Sequence, residues 1–147
     1  MDIQTTKEVI DAFYKAKRVW ERLPELPEGI VSSHIHALDA IVALTKDGRD
    51  VCVSDISSRL KLPRPGVTRT LNHMEELHLI ERYGDSKDRR VTHIRATDRG
   101  MQIYRKYVEE YFTALSEKMR TLNPENIRTM IDTIYAVSDA LKEDESR

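Results

Sequence analysis

The chain has 147 residues, 33% of them charged and 39% hydrophobic, with a formal net charge of −1. That is long enough to bury a core, too apolar for a disordered chain and too polar for a membrane-embedded one. No apolar run reaches the length of a bilayer span, the first twenty residues lack a secretory pattern, and a cytoplasmic location with no membrane partner is expected.

The small net charge hides an uneven distribution. Between Arg59 and Lys106 twelve Lys and Arg stand against six Asp and Glu, a surplus of six positive charges, and the rest of the chain carries minus seven. A basic middle between acidic ends suits contact with a polyanion. The single cysteine, Cys52, excludes an internal disulfide framework.

In chain order, Ile3, Val9, Ile10, Phe13, Tyr14 and Trp20 recur at helical spacing. This amphipathic helix ends at LPELPEG, where Pro24, Pro27 and Gly29 forbid regular helix. Ser32 or Ser33 is the expected cap of a second helix, whose buried face is Ile35, Leu38, Ile41, Val42 and Leu44 and which stops at Lys46, Asp47 and Gly48. Cys52, between Val51 and Val53, is expected on a short strand.

The segment VCVSDISSRLKLPRPGVTRTLNHMEELHLIER has the order of a helix-turn-helix. Ser54 is expected to cap a short helix with Ile56 and Leu60 inward, and KLPRPG forces the turn. In the helix that follows, Pro65 suits the first turn, while Val67, Leu71, Met74 and His78 share one face with Leu77 beside them. The opposite face presents Pro65, Thr68, Arg69 and Asn72, with Arg64 and His73 at its margins. These are groove-reading types: arginine grips guanine in a bidentate way, asparagine does so with adenine, and threonine meets a base edge, a thymine methyl or a phosphate.

Residues 79–83 and 91–96 read as two strands joined by the turn 84–90, which completes a winged helix-turn-helix in a mainly α fold. Lys87, Arg89 and Arg90 are the candidate minor-groove or phosphate contacts, with Asp85 and Asp88 to hold them in position. Beyond the wing, Met101, Tyr104, Tyr107, Val108, Tyr111, Phe112, Leu115, Met119 and Leu122 form a long helical stripe. Asn123 and Pro124 interrupt it, and a second stripe runs through Ile127, Met130, Ile131, Ile134, Val137 and Leu141 before the polar tail EDESR. A small winged domain cannot cover two such stripes, so burial against the first helix and a second subunit predicts a homodimer.

The wing sequence, Asp85, Lys87, Asp88, Arg90, Ile94, Thr97 and Gly100, resembles without a gap the signature of the MarR family of winged-helix transcriptional regulators. The preceding helix is similar too, through Thr68, Arg69, Leu71, Met74, Glu75, Leu79 and Ile80. The chain departs from that pattern at Pro63, Gly66, His78 and Ala96, where the family favours hydroxyl residues at the first two, glycine at the third and leucine at the last. The resemblance implies a single MarR-type domain over 1–147. Residues 1–45 and 101–147 would form its helical dimerisation region, and 46–100 its winged helix-turn-helix. It also implies binding to double-stranded DNA at a pseudo-palindrome. A small aromatic or lipophilic effector would lodge between the dimerisation helices and the winged domain and relieve repression, with Tyr14, Trp20, His34 and His36 as candidate lining residues.

Nothing in the sequence points to catalysis or a cofactor, since it lacks a phosphate-binding glycine loop, HExxH and CxxC. His34 and His36, two apart on a helix, face different ways and form no metal pair by themselves. Metal sensing, redox sensing at Cys52, and a winged-helix module that binds protein instead of DNA are the alternatives.

Overall fold

The computed structural model describes residues 1–20 and 24–142, and the EDESR tail lies outside them. Helix α1 spans Ile3–Trp20. Asp2 starts it by accepting the Thr5 backbone N–H at 2.8 Å, so one of the unpaired amides of the first turn is satisfied. Helices α2 (Ser32–Thr45), α3 (Val53–Leu60) and α4 (Arg64–Glu76) follow, then strands β1 (Ile80–Gly84) and β2 (Thr92–Ala96). Helix α5 (Asp98–Tyr104) leads through a π-helical segment, Arg105–Glu110, into α6 (Tyr111–Met119), and α7 spans Pro124–Lys142. The expected stripe from Met101 is thus helical but not one regular α-helix. No helix among the described residues is long and apolar enough to cross a membrane.

Two compact units divide the chain, Met1–Val108 and Glu109–Arg147. The first holds the core, in which Leu38 and Ile41 of α2, Ile56 of α3, Val67, Leu71 and Met74 of α4, Leu79 and Ile94 are all buried. The strands pair antiparallel, with Ile80 opposite Ala96 and Gly84 opposite Thr92. Val51 adds one further rung, its carbonyl accepting the Ile94 N–H at 2.7 Å. In the second unit α6 has no buried residue, and Asn123 caps α7 through the Glu125 N–H at 2.8 Å.

Four local expectations are corrected. Neither Ser32 nor Ser33 caps α2: Val31 is the N-cap residue, and His34 Nδ1 reaches back to accept its N–H at 3.2 Å. Cys52 belongs to no strand but is the N-cap of α3, so Ser54 lies inside that helix, and Asp55 accepts the Cys52 N–H at 2.9 Å. The Cys52 thiol sits 3.0 Å from the same carboxylate. His78 is exposed, not on the buried face, and has φ 57, the left-handed conformation that closes a helix end. There its N–H bonds Glu75 O at 2.9 Å and the Leu79 N–H bonds Met74 O at 2.8 Å, so histidine does the backbone work that glycine usually does.

The exit from the wing is equally local in origin. Thr97 caps α5 by accepting the Gly100 N–H at 3.1 Å, and its hydroxyl donates to His78 O at 2.6 Å. Its own N–H bonds Leu79 O at 3.1 Å. This threonine ties the end of α4 to the start of α5, with Gly100 buried between them.

Candidate nucleic-acid interface

Burial of Val67, Leu71 and Met74 turns the other side of α4 to solvent. Arg64, Pro65, Arg69, Asn72 and His73 are exposed there and Thr68 half-exposed, so the helix carries these six expected readers as one outward surface. The turn before it is set by Lys61, at φ 53, and by the Ser57 hydroxyl, which donates to Leu62 O at 2.6 Å.

Two of the readers are tied from behind. Arg82 of β1 donates from Nη2 to Asn72 Oδ1 at 2.8 Å and from Nη1 to Glu75 Oε2. His73 Nδ1 lies 3.1 Å from His34 Nε2. Because His34 Nδ1 accepts the Val31 N–H, its Nε2 carries the proton and donates to His73. His34 is 1% exposed, and burial, reinforced by His73, lowers its pKa below the ordinary histidine value.

The wing turn is held by its two aspartates in different ways. Asp85 Oδ1 accepts the N–H groups of Lys87 and Asp88 at 2.7 and 2.8 Å, and its Oδ2 meets His93 Nε2 at 2.8 Å. Asp85 therefore shapes the backbone. Asp88 takes the Arg90 guanidinium with both oxygens, each at 3.2 Å, and aims that side chain. Lys87, Arg89 and Arg90 all reach solvent.

The hydrogen bond from His93, followed by those from Lys87 and Asp88, brings the Asp85 pKa down to about 2 from its ordinary 3.8. A depressed carboxylate stabilises the fold fully above its unfolded value, and the contribution disappears as pH falls through the folded one. Asp85→Asn, which keeps an acceptor for the two backbone amides, is expected to flatten the loss of stability between pH 3.8 and about 2. Denaturant melts across that range check this, and an unchanged acid limb would refute it.

His93, Asp50, Tyr83 and Arg82 were not singled out from sequence. His93 is buried beside Ile94 on β2, where strict alternation would expose one of the two. Asp50 accepts from the Tyr83 hydroxyl at 2.7 Å, which raises the Tyr83 pKa. Asp50, Asp85 and His93 bring donor atoms within 4.8 Å of one another, but hydrogen bonds to Tyr83, Lys87 and Asp88 already engage both carboxylates.

Of the expected effector residues, Tyr14 and His34 do not line the cavity that takes in His36. Tyr14 is exposed on α1, the Trp20 side chain lies outside the described residues, and His34 is buried with both ring nitrogens engaged. His36 lines a largely apolar cavity of about 290 Å³ with Ser33, Ala37, Leu60, Leu62, Val67 and Thr70.

Residues 32–91 match a family model described as the MarR family. No curated protein sequence matches the chain. Among solved structures it is similar to Streptococcus pneumoniae FabT in complex with DNA, at 24% identity and a TM-score of 0.66 over 97% of this chain and 99% of that one. It is also similar to the S. aureus MepR–DNA complex, at 22% identity and 0.61 over 96% and 99%. A third likeness is PcaV from Streptomyces coelicolor with its natural ligand, at 20% and 0.67 over 96% and 97%.

Proposed function

Since residues 32–91 match the MarR-family model and the chain shares its fold along nearly its whole length with DNA-bound FabT, we propose that it is a MarR-type homodimeric DNA-binding repressor released by a small-molecule effector. The family is one of transcription regulators, not enzymes. The observation that carries the DNA-binding reading is the pairing, in one unit, of an outward α4 surface with an aspartate-braced basic turn. Arg69 and Asn72 are the base readers, with Arg64, Pro65, Thr68 and His73 around them, and Lys87, Arg89 and Arg90 grip phosphates.

Dimerisation is supported by apolar side chains left in water by a lone chain. Ile3, Tyr14 and Val19 of α1 are 78, 73 and 67% exposed, and Met130, Ile134, Tyr135 and Leu141 of α7 are exposed as well. Covering such faces with a second copy removes their contact with water and places two α4 helices to meet successive major grooves, about 34 Å apart. The cavity behind α4 suits a small, mostly apolar effector, which acts by favouring one spacing of the two α4 helices over another. Such a regulator works in the cytoplasm.

A mobility-shift titration with DNA from beside its own gene, set against random DNA over a range of salt, tests the reading. Specific binding that weakens steeply with salt is expected, from a particle of about twice the 17.1 kDa chain mass in sedimentation. Equal affinity for every fragment, or a stable monomer, would refute it.

A further inference from the structure

Asn72 stands on the outward surface of α4, but its carboxamide is not free to choose its face. Arg82 Nη2 lies 2.8 Å from Asn72 Oδ1. The guanidinium is fixed in turn, because its other arm pairs with Glu75 of α4 and its side chain is only 23% exposed. Arginine has donors and no acceptor, so only the oxygen of the amide can face it. The Asn72 amide therefore points Oδ1 back toward β1 and offers its two N–H bonds outward.

This orientation decides what the residue reads. Bidentate recognition of adenine needs both ends of the amide, with Oδ1 accepting from the N6 amino group and Nδ2 donating to N7. With Oδ1 turned toward Arg82, the group left facing outward is Nδ2 with its two donors. It pairs fully with base edges that present acceptors alone, guanine through O6 and N7 or thymine through O4, whereas at adenine it keeps only the single bond to N7 and meets the N6 amino group donor to donor.

We propose that Arg82 is a specificity-positioning residue. By holding Oδ1 it makes Asn72 a donor-only reader that selects guanine or thymine over adenine at one position of each half-site. This rests on the DNA-binding reading above. Arg82 itself touches no base in this scheme, and its effect passes through Asn72.

Selection of bound sequences from a random duplex library, run with the wild-type chain and with Asn72→Ala, Arg82→Lys and Arg82→Met, tests it. Arg82→Lys keeps a charge for Glu75 and breaks the fork that holds Asn72, which guards against a variant that fails to fold. Wild type is expected to enrich guanine or thymine at the position whose preference Asn72→Ala abolishes. Both Arg82 variants, with Asn72 intact, are expected to move that one position toward adenine by on the order of tenfold, leaving the others unchanged. A merely structural Arg82 would lower affinity at every position alike. Wild-type enrichment of adenine there, or a preference indifferent to Arg82, overturns the proposal while sequence-specific binding stands. If folded wild-type protein enriches no sequence at all, the DNA-binding reading falls and takes this one with it.

Discussion

Gly100→Ala is expected to destabilise the first unit by on the order of 3 kcal/mol or more, a large share of the roughly 5–15 kcal/mol that holds an ordinary domain together. A Cβ at this position would lie 2.0 Å from the Leu79 carbonyl oxygen, 3.0 Å from its carbon and 3.3 Å from Leu38 Cδ2. The first two are backbone atoms, so no rotamer change relieves the overlap. Leu79 O also accepts the Thr97 N–H, and Leu79 N bonds Met74 O. Moving that carbonyl would therefore disturb the end of α4, the root of the wing and the cap of α5 together. Gly84→Ala is the control, since its added Cβ meets nothing within 4 Å, and its effect should stay within about 1 kcal/mol. Equilibrium denaturation of both variants gives the comparison, and equal stabilities would refute the close-packing account of Gly100.

Features set by neighbouring residues were legible in the sequence. The strands fall within a residue of their expected limits, Pro65 lies in the first turn of α4 as its fixed φ suggests, and Asn123 does lie between α6 and α7, with Pro124 opening α7 instead of preceding it. The outward face of α4 and the basic turn were legible for the same reason, because helical periodicity and a charge-rich turn are short-range patterns. Caps were misplaced by one or more positions. Val31 and Cys52 are poor capping types, and what fixes those helix starts is a reach back from His34 and Asp55 three residues on. His78 fits the apolar period of α4, but the left-handed turn needed to enter β1 overrides it. The ties behind the surface could not be read from spacing at all. His34 and His73 are 39 residues apart and meet only because α2 packs on α4, and Arg82 finds Asn72 only once β1 folds back along that helix.

Replacing Lys87, Arg89 and Arg90 together by alanine is expected to reduce DNA affinity by on the order of a hundredfold near physiological salt and to lower the salt slope by about 2 to 3. Each phosphate contact that releases a counterion contributes about 0.9 to that slope, so three cations set the upper limit. The three should not contribute equally. Arg90 is already paired through both Asp88 oxygens, and its bond is what holds the Asp88 pKa below the ordinary range. A phosphate must share or displace that partner, so Arg90 exchanges one anion for another while remaining well aimed. Arg90→Ala alone should therefore cost less slope than Lys87→Ala or Arg89→Ala. Base preference should survive the triple change, because phosphate contacts set register and carry no sequence, whereas Asn72→Ala should alter preference with little change in slope. Mobility shifts at several salt concentrations with the selected site and a scrambled one separate these effects. An unchanged slope in the triple variant would mean that the wing does not meet the phosphate backbone.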